Sequence, residues 1–498
     1  MTSHIPTNPV DKAINWVERH RCLMFALIAI LLAIQITPKL TMSPDGVSYM
    51  SIARSLASNG KLKRLGSPHL RYAPAYPILI SPAFFLGPRP FIPFIAVQLI
   101  QWLFAILLIL GTYAWFAPYA GRSAIWITLL ALLNVGFWDL FRQASSELTF
   151  MPCLMWGSVL LAGAITTPSA KRAAGMMAGG IILIVIATAT RQAGALLVVG
   201  FALAGTIRAL RHQISWTRAV LCAAAIGFSI AAISCGLIVF DHHGARQVNP
   251  PEIGYTDAFR APDTSLTSQI IEGVRRQSAE VGRLVVPGMW KAHALAHDWH
   301  DPNTWIYLAI CIPLAVGWWK LCKTTADPLV LTLPFYVALY IVYPFDSSTR
   351  FTVPMLPVLA ASLWFILRPL GNNRIPIFLL LIIFHGGVAI GYWIDDAAHV
   401  RHRWQRWPAV AQIAAAIPPE AKTIALRGFA GDDWMFLMYL TDRPIAPESL
   451  GEPLSREADW IVTSGFEPDF PGFHTVTQID EHKLETRDAS TTPSVIGR

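Results

Sequence analysis

The sequence predicts an all-α, polytopic membrane protein of about eleven transmembrane helices over residues 1–395, followed by a small external α/β module over residues 396–498. Three observations carry this reading. Of 498 residues, 54% are apolar and only 14% charged, a balance that leaves little polar surface for a water-soluble body. Apolar runs long enough to cross a bilayer recur from near residue 22 to residue 394. The last hundred residues then change character to short β-rich runs around a helical stretch.

The spans are expected near 22–39, 92–116, 123–140, 149–165, 174–190, 193–209, 218–240, 304–319, 328–344, 351–368 and 375–394. The first follows a basic flank of Lys12, Arg19 and Arg21 with no small-x-small cleavage site behind it, and reads as a retained signal anchor. The run 74–86, PAYPILISPAFFL, is too short and too rich in proline to be a straight span, so it is read as a re-entrant or interfacial helix. Charge asymmetry supports that choice. With the N-terminus inside, thirteen Lys and Arg, among them Arg122, Lys171, Arg208, Lys320 and Arg368, fall on the cytoplasmic side. The short external loops hold Arg142, Arg191 and Arg350.

Three parts are then external: loop 40–91, loop 241–303 and the tail. In the tail AKTIALRG reads as a strand, DDWMFLMYLTDRP as a helix, ADWIVTSGF as a second strand and HTVTQI as a third. The net charge of +8 is dispersed among loops without aromatic-basic interleaving, which argues for membrane topology and against a nucleic-acid partner. All six cysteines lie in or beside apolar runs, so no disulfide framework or thiolate metal site is expected.

Chemistry is sought first in Ser43–Gly60, directly after the first span. Ser43 is suited to cap a helix, Pro44 to open it, and Asn59-Gly60 to stop it. Asp45 falls in the first turn, on the apolar stripe that runs through Tyr49, Ile52 and Leu56. A first-turn carboxylate is explained by the helix dipole alone. One that an apolar stripe turns toward a lipid-bathed body calls for a partner or a task.

The span interiors hold almost no ionisable groups; His385 is the main exception and reads as a packed, neutral histidine. Charges gather instead at the external ends, as Asp139, Arg142 and Glu147, then Arg191, then Asp346 and Arg350, where they are either interfacial anchors or the lining of one cavity. Arg350 is singled out because Ser347-Ser348-Thr349-Arg350 opens a span, where amides, hydroxyls and a guanidinium suit a phosphate. His293, His297 and His300 share one helical face with a spacing that can hold zinc, but an amphipathic interfacial helix is the commoner cause, and no metal is expected. His242-His243 is a weaker signal of the same kind.

In order along the chain, PDGVSYMSIARSLASNGKL, RYAPAYPILISP, ASSELTF and STRFTVPMLPVLA resemble the GT-C fold membrane glycosyltransferases, of the protein O-mannosyltransferase and aminoarabinose-lipid A transferase type. The resemblance covers most of residues 12–395. It implies inverting transfer of a sugar from a polyprenyl-phosphate donor to a lipid, glycan or protein acceptor on the external face of the cell membrane. Asp45 would be the general base, and Arg350, with Arg71, Lys61 and Arg191, would bind the donor phosphate. Tyr49, Tyr72, Arg142 and Glu147 would contact substrate. The sequence departs from the family where Gly46 follows Asp45, since many members have a second acid there; a paired-carboxylate metal site is therefore not expected, and the reaction is expected to need no metal or other cofactor. The other classes considered are a transporter of lipid-linked glycans, which would need a polar path through the spans, and a scaffold displaying the C-terminal module.

Overall fold

The computed structural model describes residues 9–87 and 91–231, apart from scattered single positions and 69–71, then 265–286, 299–342 and 349–421. Within the tail it describes 424–427, 433–443, 445–447, 460–464, 473–479 and 482–487. Among these residues seven helices are long and apolar enough to cross a membrane: Ile92–Leu132, Glu147–Thr166, Ala170–Thr190, Gln192–Leu210, Pro302–Thr325, Thr349–Ile366 and Arg374–Ala398. At 1.5 Å per residue each reaches across a hydrocarbon core. The chain is a membrane protein. Shorter apolar helices are Arg21–Ile34, Ala75–Leu86, Cys222–Ala231 and Pro328–Ile341.

Several expected boundaries move, each for a local reason. The first apolar helix ends at Ile34, ahead of Pro38, which cannot continue it. The expected span 123–140 is two helices, Ala124–Leu132 and Val135–Phe141. Asn134 separates them by accepting the Gly136 N–H on its side chain at 2.9 Å, which starts a new helix. Between Phe91–Ala120 and Ala124–Leu132 the chain turns through one turn of 3-10 helix that begins at Gly121, whose φ of 58° favours glycine. The helix beginning at Arg374 does not stop near 394 but runs on to Ala416. Loop 241–303, where helix was expected only around His293–His300, contains the 20-residue helix Leu266–Val285; residues 287–298 lie outside the described residues.

The chain divides into two compact units. The first comprises Met1–Ile36, Leu70–Tyr76 and Gln98–Trp393. Its largest core is built from apolar side chains of the spanning helices, with Trp126, Phe137, Phe141, Phe150, Phe201 and Phe378 fully enclosed. Helices Glu147–Thr166 and Ala170–Thr190 pack closely because Gly157 and Gly180 face the other helix's Ile184 and Leu161 with no room for a Cβ. Polar ties fix neighbours: the Trp102 indole donates to the Ala29 carbonyl at 2.8 Å. Buried Asp327, which caps Pro328–Ile341, accepts from the Trp115 indole at 3.0 Å and the Tyr119 hydroxyl at 3.1 Å.

The second unit comprises Thr37–His69, Pro77–Val97 and Ile394–Arg498. It holds the helix Pro44–Asn59, a short antiparallel pair β1 (Lys63–Arg64) and β2 (Ser67–Pro68), and a five-stranded sheet. The sheet strands are β3 (Ile424–Arg427), β4 (Ile445–Pro447), β5 (Trp460–Ser464), β6 (Phe473–Ile479) and β7 (His482–Arg487), in the order β4-β3-β5-β7-β6. The three expected strands and the helix Asp433–Thr441 are all present; β4 and β7 are additions. β3 lies parallel to β4 and β5, while β7 pairs antiparallel with β5 and β6. Aromatic edges of Phe94, Trp404, Trp407, Phe436 and Tyr439 stack at centroid distances of 4.6–6.4 Å to join the helices of this unit.

Candidate active site

In the second unit the stretch around Asp45 folds as its residues dictate. Ser43 Oγ accepts the Gly46 N–H at 3.1 Å, Pro44 occupies the first turn, and Gly60 at φ 67° ends the helix with its N–H on the Leu56 carbonyl. Asp45 is half-buried in that first turn, and Tyr49 is buried one turn later. The helix is enclosed from Gly46 to Ala53, so its apolar stripe is only part of the buried face. The following loop is held down by serines: Arg64 donates from Nε to Ser48 Oγ at 2.9 Å, and Leu65 N–H to Ser51 Oγ at 2.7 Å. Ser51 in turn donates to Asp442 at 2.6 Å, and Arg54 pairs with the same carboxylate at 2.9 Å while lying 4.7 Å over the Tyr439 ring. Lys61 is exposed just beyond the helix, its backbone fixed by Asn59 and Ser55.

In the first unit the helix beginning at Glu147, the segment after the helix Ala170–Thr190, and the turn preceding Leu356–Ile366 bring three charges together. Glu147 is 1% exposed. Its Oε1 pairs with the Arg191 guanidinium and lies 3.7 Å from Arg350 Nε, while its Oε2 accepts from Ser145 Oγ at 2.6 Å. Arg191 and Arg350 also cover the Phe351 ring, at 4.7 and 4.9 Å from its centre. Tyr340 stacks on Phe351 at 5.1 Å, and the Tyr336 hydroxyl donates to the Phe351 carbonyl at 2.8 Å. Tyr76 is fully buried near Glu147; burial, and then the nearby carboxylate, push its hydroxyl pKa up.

Arg350 is the more open of the two arginines, its side chain 28% exposed against 13% for Arg191. In a partly desolvated setting an open guanidinium suits an anion that it can hold by two hydrogen bonds, above all a phosphate.

Arg142 sits in a different group. It lies 5.9 Å from the centre of the Tyr392 ring, and the Tyr392 hydroxyl donates to Asp139 at 3.3 Å. Tyr72 is half-buried. Arg71, Asp346, Ser347 and Ser348 lie outside the described residues, as do His242, His243, His293 and His297. Among the described residues no group of three His, Cys, Asp or Glu is placed to hold a metal ion. His385 is buried in the first unit, 3.3 Å from the Asn134 amide, beside a small leucine-lined cavity of about 20 Å³.

Phe351, Tyr336, Tyr340, Tyr76 and Ser145 were not singled out in the sequence. Two signals were present: Ser145-Ser146 directly before a first-turn acid, and Tyr336 and Tyr340 one helical turn apart. Neither says which charge the group serves, because Arg191 and Arg350 come from remote segments.

No protein-family model and no curated protein matches the chain. Solved structures do. ArnT from Cupriavidus metallidurans bound to undecaprenyl phosphate is 13% identical with a TM-score of 0.55, over 95% of this chain and 99% of that one. The Archaeoglobus fulgidus oligosaccharyltransferase in complex with Zn and sulfate is 13% identical with a TM-score of 0.52, over 89% and 67%. The same organism's AglB in complex with an inhibitory peptide and a dolichol-phosphate is 12% identical with a TM-score of 0.50, over 90% and 70%. At these identities the likeness is one of fold, and the chain has the GT-C fold of these membrane glycosyltransferases.

Proposed function

We propose that the protein is an integral-membrane, inverting glycosyltransferase that moves a sugar from a polyprenyl-phosphate donor to a lipid, glycan or protein acceptor on the external face of the inner membrane. Eleven spans would carry the catalytic part, residues 1–395, and residues 396–498 would form an external domain. The observation that carries the reading is the convergence of Arg191 and Arg350 on the buried carboxylate of Glu147, with Arg350 the more open of the two guanidiniums. The shared fold supports it: ArnT is seen with undecaprenyl phosphate and AglB with a dolichol-phosphate, each a lipid carrying a phosphate.

In this reading Arg350 and Arg191 bind the donor phosphate and stabilise it as it leaves, with Lys61 and Arg71 as further basic groups. Glu147 acts through the two guanidiniums, fixing their orientation, because its own oxygens are already engaged. Asp45 takes the proton from the acceptor hydroxyl as the sugar's anomeric carbon exchanges its bond to phosphate oxygen for a bond to acceptor oxygen. The N-terminal end of its helix favours the ionised carboxylate that a base requires. Tyr49, Tyr72 and Arg142 are assigned to substrate contact. Basic groups, Arg350 and Arg191 first, do the electrostatic work that a cation would otherwise do, so the reaction is proposed to be metal-independent.

The test is sugar transfer from a panel of polyprenyl-phosphate monosaccharides by the wild type, Asp45→Asn and Arg350→Ala, with folding verified for each and with EDTA present or absent. Transfer by the wild type, insensitivity to EDTA, and loss of about a thousandfold in Asp45→Asn with donor binding retained are expected. Full activity in Asp45→Asn would remove the base assignment.

A further inference from the structure

The groups that hold Arg350 in place come from an element the phosphate chemistry does not itself require. The residues on both sides of Arg350 are each tied down: the Thr349 hydroxyl donates to Glu280, the Phe351 carbonyl accepts from the Tyr336 hydroxyl, and the Thr352 hydroxyl donates to the Gln277 amide oxygen at 3.4 Å. Two of these three partners, Gln277 and Glu280, lie on one face of the helix Leu266–Val285, in the long second loop. Thr349, Thr352, Gln277 and Glu280 are all buried. Glu280 also accepts from Arg283 at 3.1 Å, one turn further along.

That helix is itself seated without slack. Gly273 meets the Ile341 backbone, and Gly282 the Tyr307 ring, so closely that neither position has space for a Cβ. An element packed this tightly transmits a displacement instead of absorbing it. The turn it grips is two short 3-10 pieces, Thr349–Phe351 and Val353–Met355, with Thr352 between them. Such a turn has few internal hydrogen bonds to define it, so it depends on side chains from elsewhere.

We infer that Glu280, supported by Gln277, is a positioning residue for anion binding: it fixes the turn that presents Arg350 to the phosphate of the lipid-linked donor. The assignment rests on the phosphate role proposed for Arg350 and adds the second loop's helix to the donor site. A glutamate serves here because its two oxygens accept from Thr349 on one side and Arg283 on the other, which fixes the carboxylate plane. Loss of the grip frees the turn, and the guanidinium is then no longer pre-aimed.

The experiment measures binding of undecaprenyl phosphate to the full-length protein in detergent for the wild type, Glu280→Ala, Glu280→Gln, Thr349→Val, Thr349→Ser, Arg350→Ala and the double variant Glu280→Ala/Arg350→Ala. Glu280→Ala and Thr349→Val should weaken binding about tenfold, whereas Glu280→Gln and Thr349→Ser, which keep the hydrogen bond, should bind within about threefold of wild type. In the double variant the Glu280 effect should vanish, because the group it aims is gone. Losses that add in the double variant, or wild-type binding by both Glu280→Ala and Thr349→Val, overturn the positioning role alone. If the wild type binds no polyprenyl phosphate, the donor reading falls and the assignment falls with it. Thr349→Val is nearly isosteric, so the test stands even where Glu280→Ala does not fold.

Discussion

Asp45 and Glu147 each stand in the first turn of a helix, and the two settings are built by different means. At Asp45 the setting is local: the cap, the opening proline, the acid and the terminating glycine all lie within Ser43–Gly60. At Glu147 the helix start is local too, but the charge is defined by arginines that arrive from two other segments. The first carboxylate is half-buried and the second almost wholly enclosed. Position in a helix sets a local field, whereas the number and sign of the neighbours set what a carboxylate is for.

The largest effect is expected at Glu147. Glu147→Ala removes the buried carboxylate on which Arg191 and Arg350 converge over Phe351, and should destabilise the protein by about 3–5 kcal/mol. The loss is read as a lowered melting temperature in detergent, and partial recovery by added phosphate would show that an anion can replace the carboxylate. A melting temperature unchanged by the substitution would show that the pair is not held as the geometry describes.

A smaller effect is expected at Glu280, where pH provides the handle. Burial raises its carboxyl above the ordinary value of 4.5, while Arg283 and the Thr349 hydroxyl oppose the rise. Tyr307 also faces it. A carboxyl that holds its proton more tightly folded than unfolded contributes stability below the unfolded value, and that contribution is lost as the pH rises through the folded one. Wild-type melting temperature should therefore fall more steeply above pH 4.5 than that of Glu280→Gln, measured in parallel from acidic to neutral pH. Identical slopes would deny Glu280 this role in stability.

The smallest effect belongs to the local site. Ser43→Ala removes one cap hydrogen bond and should cost about 1 kcal/mol, with Ser43→Asn restoring it. The change should be visible as faster amide exchange in the first turn of the helix, with little exchange difference around Glu147. A loss as large as that at Glu147 would mean that the two helix starts do not differ as described.

Much of the fold was legible because its signals are short-range. The helix Pro44–Asn59 has both ends written in its own residues, the spans are runs of apolar composition, and the tail strands are short β-rich runs between turn residues. Where the sequence misled, a single side chain or a distant contact decided. Asn134 splits one expected span by capping a new helix, an effect its composition does not reveal among apolar neighbours. The helix Arg374–Ala416 continues past its apolar part because Trp404 and Trp407 have aromatic partners in Phe94 and Phe436, and the sequence does not show those partners.

The candidate site divides along the same line. Local signals in the sequence were enough to show that the chain enters a membrane, to bound helices such as Pro44–Asn59 and Glu147–Thr166, and to place Asp45 in the first turn of a capped helix, since each depends on neighbours within a turn or two. Packing of remote segments settled that Glu147 pairs with Arg191 and lies beside Arg350, and that Phe351 lies beneath both guanidiniums. It also decided that Glu280 and Gln277 grip the turn that carries Arg350. Those relations join residues far apart in the chain, and the free energy of bringing such charges together depends on burial and distance, which are fixed only when the helices pack.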